Sequence, residues 1–328
     1  MTDSVAANSE SSFRFSYTAK GGDYFLLMMK TFFLSLISLG IYWFWGRVQI
    51  IKFYYNNTKL QDFSFDYHAT GKEKFIGFLK GVGILIIFGL ISFVLTWIFT
   101  KVFNESIAKI IVGIFTYIVI FSALPFVIVL SLRFRLSRTS FNGIRFQFLG
   151  DPKEFLFLFL KSLGLTIITL GFYYPWFLVN VSTYITQNSL YGNHAFDIRL
   201  KAEELFIIIL KGFLLTFITF GIYVFWFRAN MFNFFWNNYY FQNGKTNSNL
   251  TGGKLFLTAL KSVGLFIITL GIGVPWIIIM NQRVLVESVS FNAPIDFETI
   301  SQIPIKQGSA TLDSIGGDAL DSLGSIVG

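Results

Sequence analysis

The sequence contains no cysteine, only two histidines and few charged residues, and each shortage excludes a class of site. Without cysteine, disulfides, iron–sulfur clusters and cysteine-ligated zinc are excluded. His68 and His194 stand at different points of the sequence pattern, so no histidine pair indicates a metal site. Charged residues make up 13% of the chain, against about 25% in soluble domains. We expect neither a cofactor nor a metal.

Apolar and aromatic residues take the place of the missing charge. The 328 residues are 54% hydrophobic and 19% aromatic, and the mean hydropathy is +0.61. This composition is typical of a chain that lies in lipid. The first twelve residues, MTDSVAANSESS, are polar and carry no basic residue. We therefore expect a disordered N-terminus over residues 1–12, no cleavable signal peptide, and insertion through internal apolar segments.

Basic residues follow several of the apolar segments and give the chain a net charge of +8. Arg47 is one example, and Arg133, Arg135, Arg138 and Arg145 form a cluster after another segment. Nucleic-acid binding is one interpretation of a basic chain. Cytoplasmic flanks that face anionic headgroups are the commoner interpretation for a membrane protein. We predict membrane lipids as partners and no nucleic acid.

Internal copies of about fifty residues make up most of the chain. At four places a lysine precedes a glycine by ten positions, and a tryptophan follows that glycine by five. The stretches read LISLGIYWFW, IITLGFYYPW, FITFGIYVFW and IITLGIGVPW, and two of them carry proline before the tryptophan. The residues are Lys30, Lys161, Lys211 and Lys261; Gly40, Gly171, Gly221 and Gly271; Pro175 and Pro275; and Trp45, Trp176, Trp226 and Trp276.

A fifth copy is interrupted by an insertion. Lys80 lies fifty positions after Lys30, but Lys161 follows Lys80 by 81 positions, so 31 residues are extra. If they enter after Lys80, the proline of this copy is expected at position 125, which is Pro125. We therefore predict one repeat membrane domain over residues 13–300, with five units, of which the second carries the insertion.

Polar joints connect the units and alternate aromatic with polar residues. FRFSY at 13–17, FSFDY at 63–67, IRFQF at 144–148 and AFDI at 195–198 share one phase, and VSFNAPIDF at 289–297 is a degenerate last copy. A period of two between turn residues predicts short, half-buried β-strands. The fourth joint, NYYFQNGKTNSNLTGG, departs most from the pattern, which argues against a regular strand there.

Two arrangements of the apolar segments are compatible with this pattern. If every short unit crosses the membrane once, near-identical joints must function on alternating faces. If each short unit is a helical hairpin that enters and leaves on one face, every joint lies on that face. The turn then falls at LGxY, where Gly permits a positive φ and Pro can start the second helix. The insertion makes residues 75–100 and 108–132 a full transmembrane hairpin. We favour the hairpins, because only Lys101 and Lys109 then lie opposite the other basic residues.

The combined motif resembles the YjgN-like family of bacterial inner-membrane proteins, a domain-of-unknown-function family. The resemblance rests on SLGIYWFW, TLGFYYPW and TLGIGVPW, each followed by a helix and by joints such as NNTKLQDFSFDY and RTSFNGIRFQF. It covers about residues 13–298. It implies a multi-pass protein of the bacterial inner membrane, with most polar joints predicted to be cytoplasmic, and it implies no known activity.

The residues favour binding over catalysis. No acid, base and nucleophile converge by spacing, so we expect no enzyme. The five lysines could form a basic ring for anions or headgroups, or could extend to the membrane interface from helix entrances. The tryptophans are expected to pack between hairpins. After residue 300 the chain forms an acidic tail over 301–328, either disordered or a weak docking helix around Leu312, Leu320 and Leu323.

We therefore predict an α-helical integral membrane protein of helical hairpins joined by short β-strands on one face. One hairpin is a full transmembrane pair and the others are re-entrant. The function predicted is a membrane scaffold or interaction protein that binds a protein partner or lipid. The alternative is a channel or transporter formed by the pseudo-equivalent hairpins, since re-entrant segments line many transport paths.

Overall fold

A computed structural model describes residues 13–304, and the predictions for residues 1–12 and for 305–328 lie outside this range. The described residues contain ten α-helices and eleven β-strands. The helices are α1 Gly21–Ile37, α2 Trp43–Asn57, α3 Gly71–Val102, α4 Glu105–Ser137, α5 Pro152–Ile168, α6 Tyr174–Gln187, α7 Ala202–Ile218, α8 Val224–Trp236, α9 Gly252–Ile268 and α10 Val274–Val286. The strands are β1 Phe13–Tyr17, β2 Thr58–Leu60, β3 Phe63–Tyr67, β4 Thr139–Phe141, β5 Ile144–Phe148, β6 Ser189–Tyr191, β7 His194–Ala195, β8 Asp197–Ile198, β9 Tyr239–Phe241, β10 Gly244–Ser248 and β11 Val289–Phe291.

The ten helices form five pairs arranged in a closed ring. Each helix packs against the next one along the chain, and α10 packs against α1. Within a pair the helices are antiparallel: in the first pair, the Tyr54 hydroxyl donates to the Tyr24 hydroxyl at 2.7 Å, and Gly46 lies against Thr31. The first and last pairs of the chain are therefore neighbours in space.

One pair is much longer than the other four. Helices α1, α5, α7 and α9 have 17 residues each, which is about 25 Å and less than the ~30 Å hydrocarbon core. Helices α3 and α4 have 32 and 33 residues, and both are long and apolar enough to cross a membrane by length and composition. The predicted segments 75–100 and 108–132 lie inside these two helices. Little of their apolar surface is buried.

Large apolar side chains cover the outer faces of the first helices as well. Phe33 in α1, Phe157 in α5, Phe213 in α7 and Leu257 in α9 are all exposed. Together with α3 and α4 they form an apolar girdle around the ring, far larger than the patches that soluble monomers expose.

The strands join into one antiparallel sheet that forms a nearly closed ring. Its order is β7-β6-β5-β4-β3-β2-β1-β11-β10-β9-β8, and only Phe196 separates β7 from β8. The predicted strands at 13–17, 63–67 and 144–148 are confirmed. The expectation against strands in the fourth joint is wrong, because Tyr239–Phe241 pairs with Gly244–Ser248 and with β8. The partner strands at 58–60, 139–141 and 189–191 are too short to show an alternating pattern.

A segment that follows β11 crosses the end of the sheet ring where the β-hairpin loops lie. We call residues 292–303 the strap. Phe297 in the strap packs edge-on against Phe63 and at a tilt against Phe141, with ring centroids 5.3 and 6.0 Å apart. Gln302 accepts a hydrogen bond from the Arg145 backbone on one side, and Gln242 donates to the Asp296 carbonyl on the other. The strap therefore covers the aromatic interior of the sheet ring at this end.

Candidate functional site

The four short pairs share one turn, which we call the tip turn. It comprises residues 38–42, 169–173, 219–223 and 269–273. The glycine in each has φ between 89° and 94°, as the LGxY prediction requires. The residue before it, such as Leu170 with φ 50°, is also left-handed, which the sequence did not predict because non-glycine residues avoid this region.

A hydroxyl side chain satisfies part of each tip turn. The residue that follows the first helix of each short pair is Ser38, Thr169, Thr219 or Thr269. Its hydroxyl accepts the backbone N–H four residues later, at 2.8 to 3.0 Å. The same hydroxyl donates back to a helix carbonyl; for Thr219 this is Leu215, at 2.7 Å. This pairing lowers the cost of placing a turn away from water, where an unpaired backbone group is expensive.

Apolar residues at the tip turns are almost fully exposed. Leu39, Leu170, Phe220 and Leu270 are 93%, 90%, 98% and 90% exposed. Pro175 and Pro275 lie in the first turn of α6 and α10, as predicted. Pro125, by contrast, is buried inside the continuous helix α4.

The tryptophans contact the next pair in the ring. Trp45, Trp176 and Trp226 lie 5.8, 5.8 and 6.0 Å by ring centroid from Phe75, Phe206 and Phe256. Trp276 in the last pair lies 5.4 Å from Phe25 in the first. The first residue of the neighbouring helix is a glycine beneath Trp45, Trp226 and Trp276, where a Cβ would overlap the indole.

The five lysines lie on the outside of the ring. Lys30, Lys80, Lys161, Lys211 and Lys261 are all exposed, and within residues 13–304 none of them pairs with a carboxylate. They lie among the apolar residues of the girdle, so they do not line the interior.

Polar side chains of the second helices form hydrogen bonds with the backbone just before the next helix pair begins. Arg133 donates to the Gly150 carbonyl at 2.5 Å, Asn233 to that of Leu250 at 2.8 Å, and Arg283 to that of Ala19 at 2.7 Å. Each carbonyl lies two residues before a helix start. Arg133, Asn233 and Arg283 are 100 and 50 positions apart, which is visible in the sequence, but their carbonyl partners are not.

Three adjoining cavities lie inside the ring. The helix cavity, of about 680 Å³, is bounded by α6 to α10 and includes Arg228, Asn281 and Gln282. The middle cavity, of about 410 Å³, shares Phe232, Gln282 and Leu285 with it.

The sheet cavity, of about 450 Å³, shares Trp236 with the middle cavity and is lined mainly by aromatic residues. These include Phe65, Phe146, Tyr191 and Phe241. Burial raises the pKa of the Tyr191 hydroxyl, which stays protonated and donates to the Phe141 carbonyl at 2.7 Å. The cavities therefore become less polar from the helices towards the sheet.

One polar cluster on the sheet has the residue types of a hydrolase. His68 Nε2 lies 2.7 Å from Ser140 Oγ, and His68 Nδ1 lies 3.7 Å from Asp66. The second distance is longer than a hydrogen bond. Ser140 is only 4% exposed, and it lines a polar surface pocket together with His68 and Asp66. Across residues 13–304, no group of three His, Cys, Asp or Glu residues could hold a metal ion.

These features define a class of helical protein with two helices of membrane-spanning length, a nearly closed antiparallel sheet and an internal, largely apolar space. The chain belongs to the family described as bacterial protein of unknown function (DUF898), whose model matches residues 12–225 and 213–318. The family resemblance seen in the sequence is thereby confirmed.

Two curated relatives are named inner membrane protein YjgN. The one from Salmonella typhimurium is 28% identical over 148 residues, which cover 45% of this chain and 34% of the relative. The one from Escherichia coli is 27% identical over 144 residues, covering 44% and 33%. The matched segment thus spans about a third of each relative. No solved structure matches the chain.

Proposed function

We propose that this chain is an integral protein of the bacterial inner membrane that acts as a scaffold, binding lipid or a protein partner without catalysis. The names of its relatives, the two long apolar helices and the exposed girdle support the membrane location. On this proposal residues 13–300 form one membrane domain of five related units.

The positions of the lysines support a specific depth to which each helical hairpin reaches into the bilayer. Each lysine of a short pair precedes the apolar tip residue by nine positions, as Lys211 precedes Phe220. Nine helical residues span about 14 Å, roughly half of the hydrocarbon core. Lys80 and Lys101 are 21 positions apart, about 31 Å, which matches the whole core. With lysines at the headgroups, four hairpins end near the midplane and one crosses.

The aromatic lining of the sheet cavity is the observation that supports a scaffold over a conduit. The sheet cavity is aromatic, and the strap covers the end of the sheet ring. A polar solute would meet no continuous polar lining along this route. The sheet ring, with its polar loops, supplies the surface for a partner.

A channel or transporter is the second candidate, and the helix cavity favours it. Arg228, Asn281 and Gln282 give that cavity a polar wall between helices. Proteoliposomes that pass ions or small anions at rates above empty liposomes would support this candidate over the scaffold.

Cysteine labelling tests the arrangement, because the natural chain has no cysteine to remove. We expect Asn193→Cys and Asn243→Cys, in exposed sheet loops, to react with an impermeant maleimide only from the cytoplasmic side. Ser106→Cys, at the turn of the long pair, is the matched opposite and should react only from the periplasmic side. Labelling of positions 193 and 243 from opposite faces would refute the re-entrant hairpins.

A further inference from the structure

Arg228 places a positive charge inside the ring. It lies in the first half of α8, lines the helix cavity with Asn281 and Gln282, and has no acidic neighbour in that lining. Within the described residues it makes no ion pair or hydrogen bond. Its side chain is exposed at the cavity wall. An unpaired positive charge in a cleft with low-dielectric walls raises the local concentration of anions, so the cavity is electrostatically suited to an anion.

The space beyond Arg228 suits an apolar chain. The helix cavity adjoins the middle cavity at Phe232 and Leu285, and the middle cavity adjoins the sheet cavity at Trp236. Trp236 follows Arg228 by eight positions, about 12 Å along the helix. Largely apolar spaces of this size are usual for ligand sites. The Trp236 side chain lines both the middle and the sheet cavities, so its indole would report a chain that passes between them.

We propose that the three cavities form one binding site for an anionic amphiphile with a single long acyl chain. Its carboxylate or phosphate pairs with the Arg228 guanidinium, and Gln282 supplies an amide donor beside it. The chain runs past Trp236 to the aromatic side chains of the sheet cavity. This site goes beyond the scaffold role, which is tested separately by cysteine labelling and by transport into proteoliposomes.

Fluorescence quenching in phosphatidylcholine nanodiscs tests the site. The probes are dibromostearate and a lysophosphatidate with the same brominated chain, which separate a free fatty acid from a lysophospholipid. Dibromostearyl alcohol is the uncharged comparison. We expect saturable quenching by at least one anionic probe, and loss of the saturable part in Trp236→Phe. No saturable quenching by either anion, or unchanged saturable quenching in Trp236→Phe, would overturn the proposal.

Two matched pairs of variants test where the anionic headgroup and the acyl chain of the ligand bind. Arg228→Gln is expected to weaken binding of the anionic probe by about tenfold or more, the effect of losing a charge-assisted hydrogen bond. It should leave the alcohol unaffected, which also shows that the variant is folded. Lys211→Gln, on the outer surface, is its control. Leu285→Phe narrows the junction of the helix cavity and the middle cavity, so it should weaken binding of the anionic probe and of the alcohol alike. Leu257→Phe, at an exposed position, should weaken binding of neither. Equal effects within either pair would refute the assignment.

Discussion

Four hydroxyl groups each accept a hydrogen bond from the backbone of a tip turn. Ser38, Thr169, Thr219 and Thr269 each accept a backbone N–H that would otherwise have no partner within the turn. A short polar side chain thus does at each turn what water does in a soluble loop. The Ser or Thr before LGxY is visible in the sequence, but its role appears only when the helix is known to end there.

Thr219→Val tests this role, because it keeps the shape of the side chain and removes the hydroxyl. The Tyr223 N–H then has no partner, and we expect a loss of about 1–3 kcal/mol in the free energy of unfolding. Thr219→Ser keeps the acceptor and is the control. Thermal unfolding in detergent micelles gives the comparison, and equal melting temperatures for the two variants would contradict the role.

Neighbouring helix pairs fit together through a tryptophan and a small residue. Gly252 begins α9 directly beneath Trp226, and Gly21 begins α1 beneath Trp276. The adjacent glycines Gly22 and Gly253 have open space at the Cβ position. The contact between pairs therefore depends on which of two consecutive glycines lies under the indole.

Gly252→Ala should be destabilising, because the new methyl group overlaps Trp226. Overpacking of this kind costs about 1–3 kcal/mol. Gly253→Ala meets no neighbour and should be neutral or slightly stabilising, since alanine favours a helix. Denaturant or thermal unfolding of the two variants gives the comparison. A larger loss for Gly253→Ala would contradict the packing described.

The local parts of this fold were predictable and the long-range parts were not. The helix breaks at the glycines, the long hairpin and the strands at 13–17, 63–67 and 144–148 follow from apolar runs, turn residues and alternation. The helix ring, the sheet ring and the cavities depend on which elements are neighbours in space. Arg228 shows the difference: the sequence places it after an apolar run, and only the ring turns that position towards the interior.

Contacts between the two ends of the described chain close both rings. Phe13 pairs with Phe291 and Arg14 with Ser290 in the sheet. In the helix ring α10 packs against α1. Closure leaves each helix pair with two neighbours and leaves no sheet edge open except around Phe196, which limits pairing with other chains.

A double variant, Arg14→Cys with Ser290→Cys, tests the closure. Directly opposite residues on antiparallel strands have Cα atoms about 4.5–5.5 Å apart, within reach of a disulfide. We expect an intramolecular crosslink under mild oxidation, seen as faster migration in non-reducing electrophoresis. Arg14→Cys with Ser64→Cys, which are not paired, should not crosslink. Crosslinks only between separate chains would mean that the ring is open.

Closure also has a consequence for biosynthesis. Arg283 holds the Ala19 carbonyl across 264 positions, so the first pair leaves the ribosome long before its last neighbour exists. Contacts so distant in sequence form late, and surfaces that wait for them are exposed meanwhile. Until translation reaches α10, the face of α1 that carries Gly21 and Phe25 has only lipid or a helper protein to contact. A chain arrested after the fourth pair should therefore be the form that insertion and quality-control factors bind most strongly.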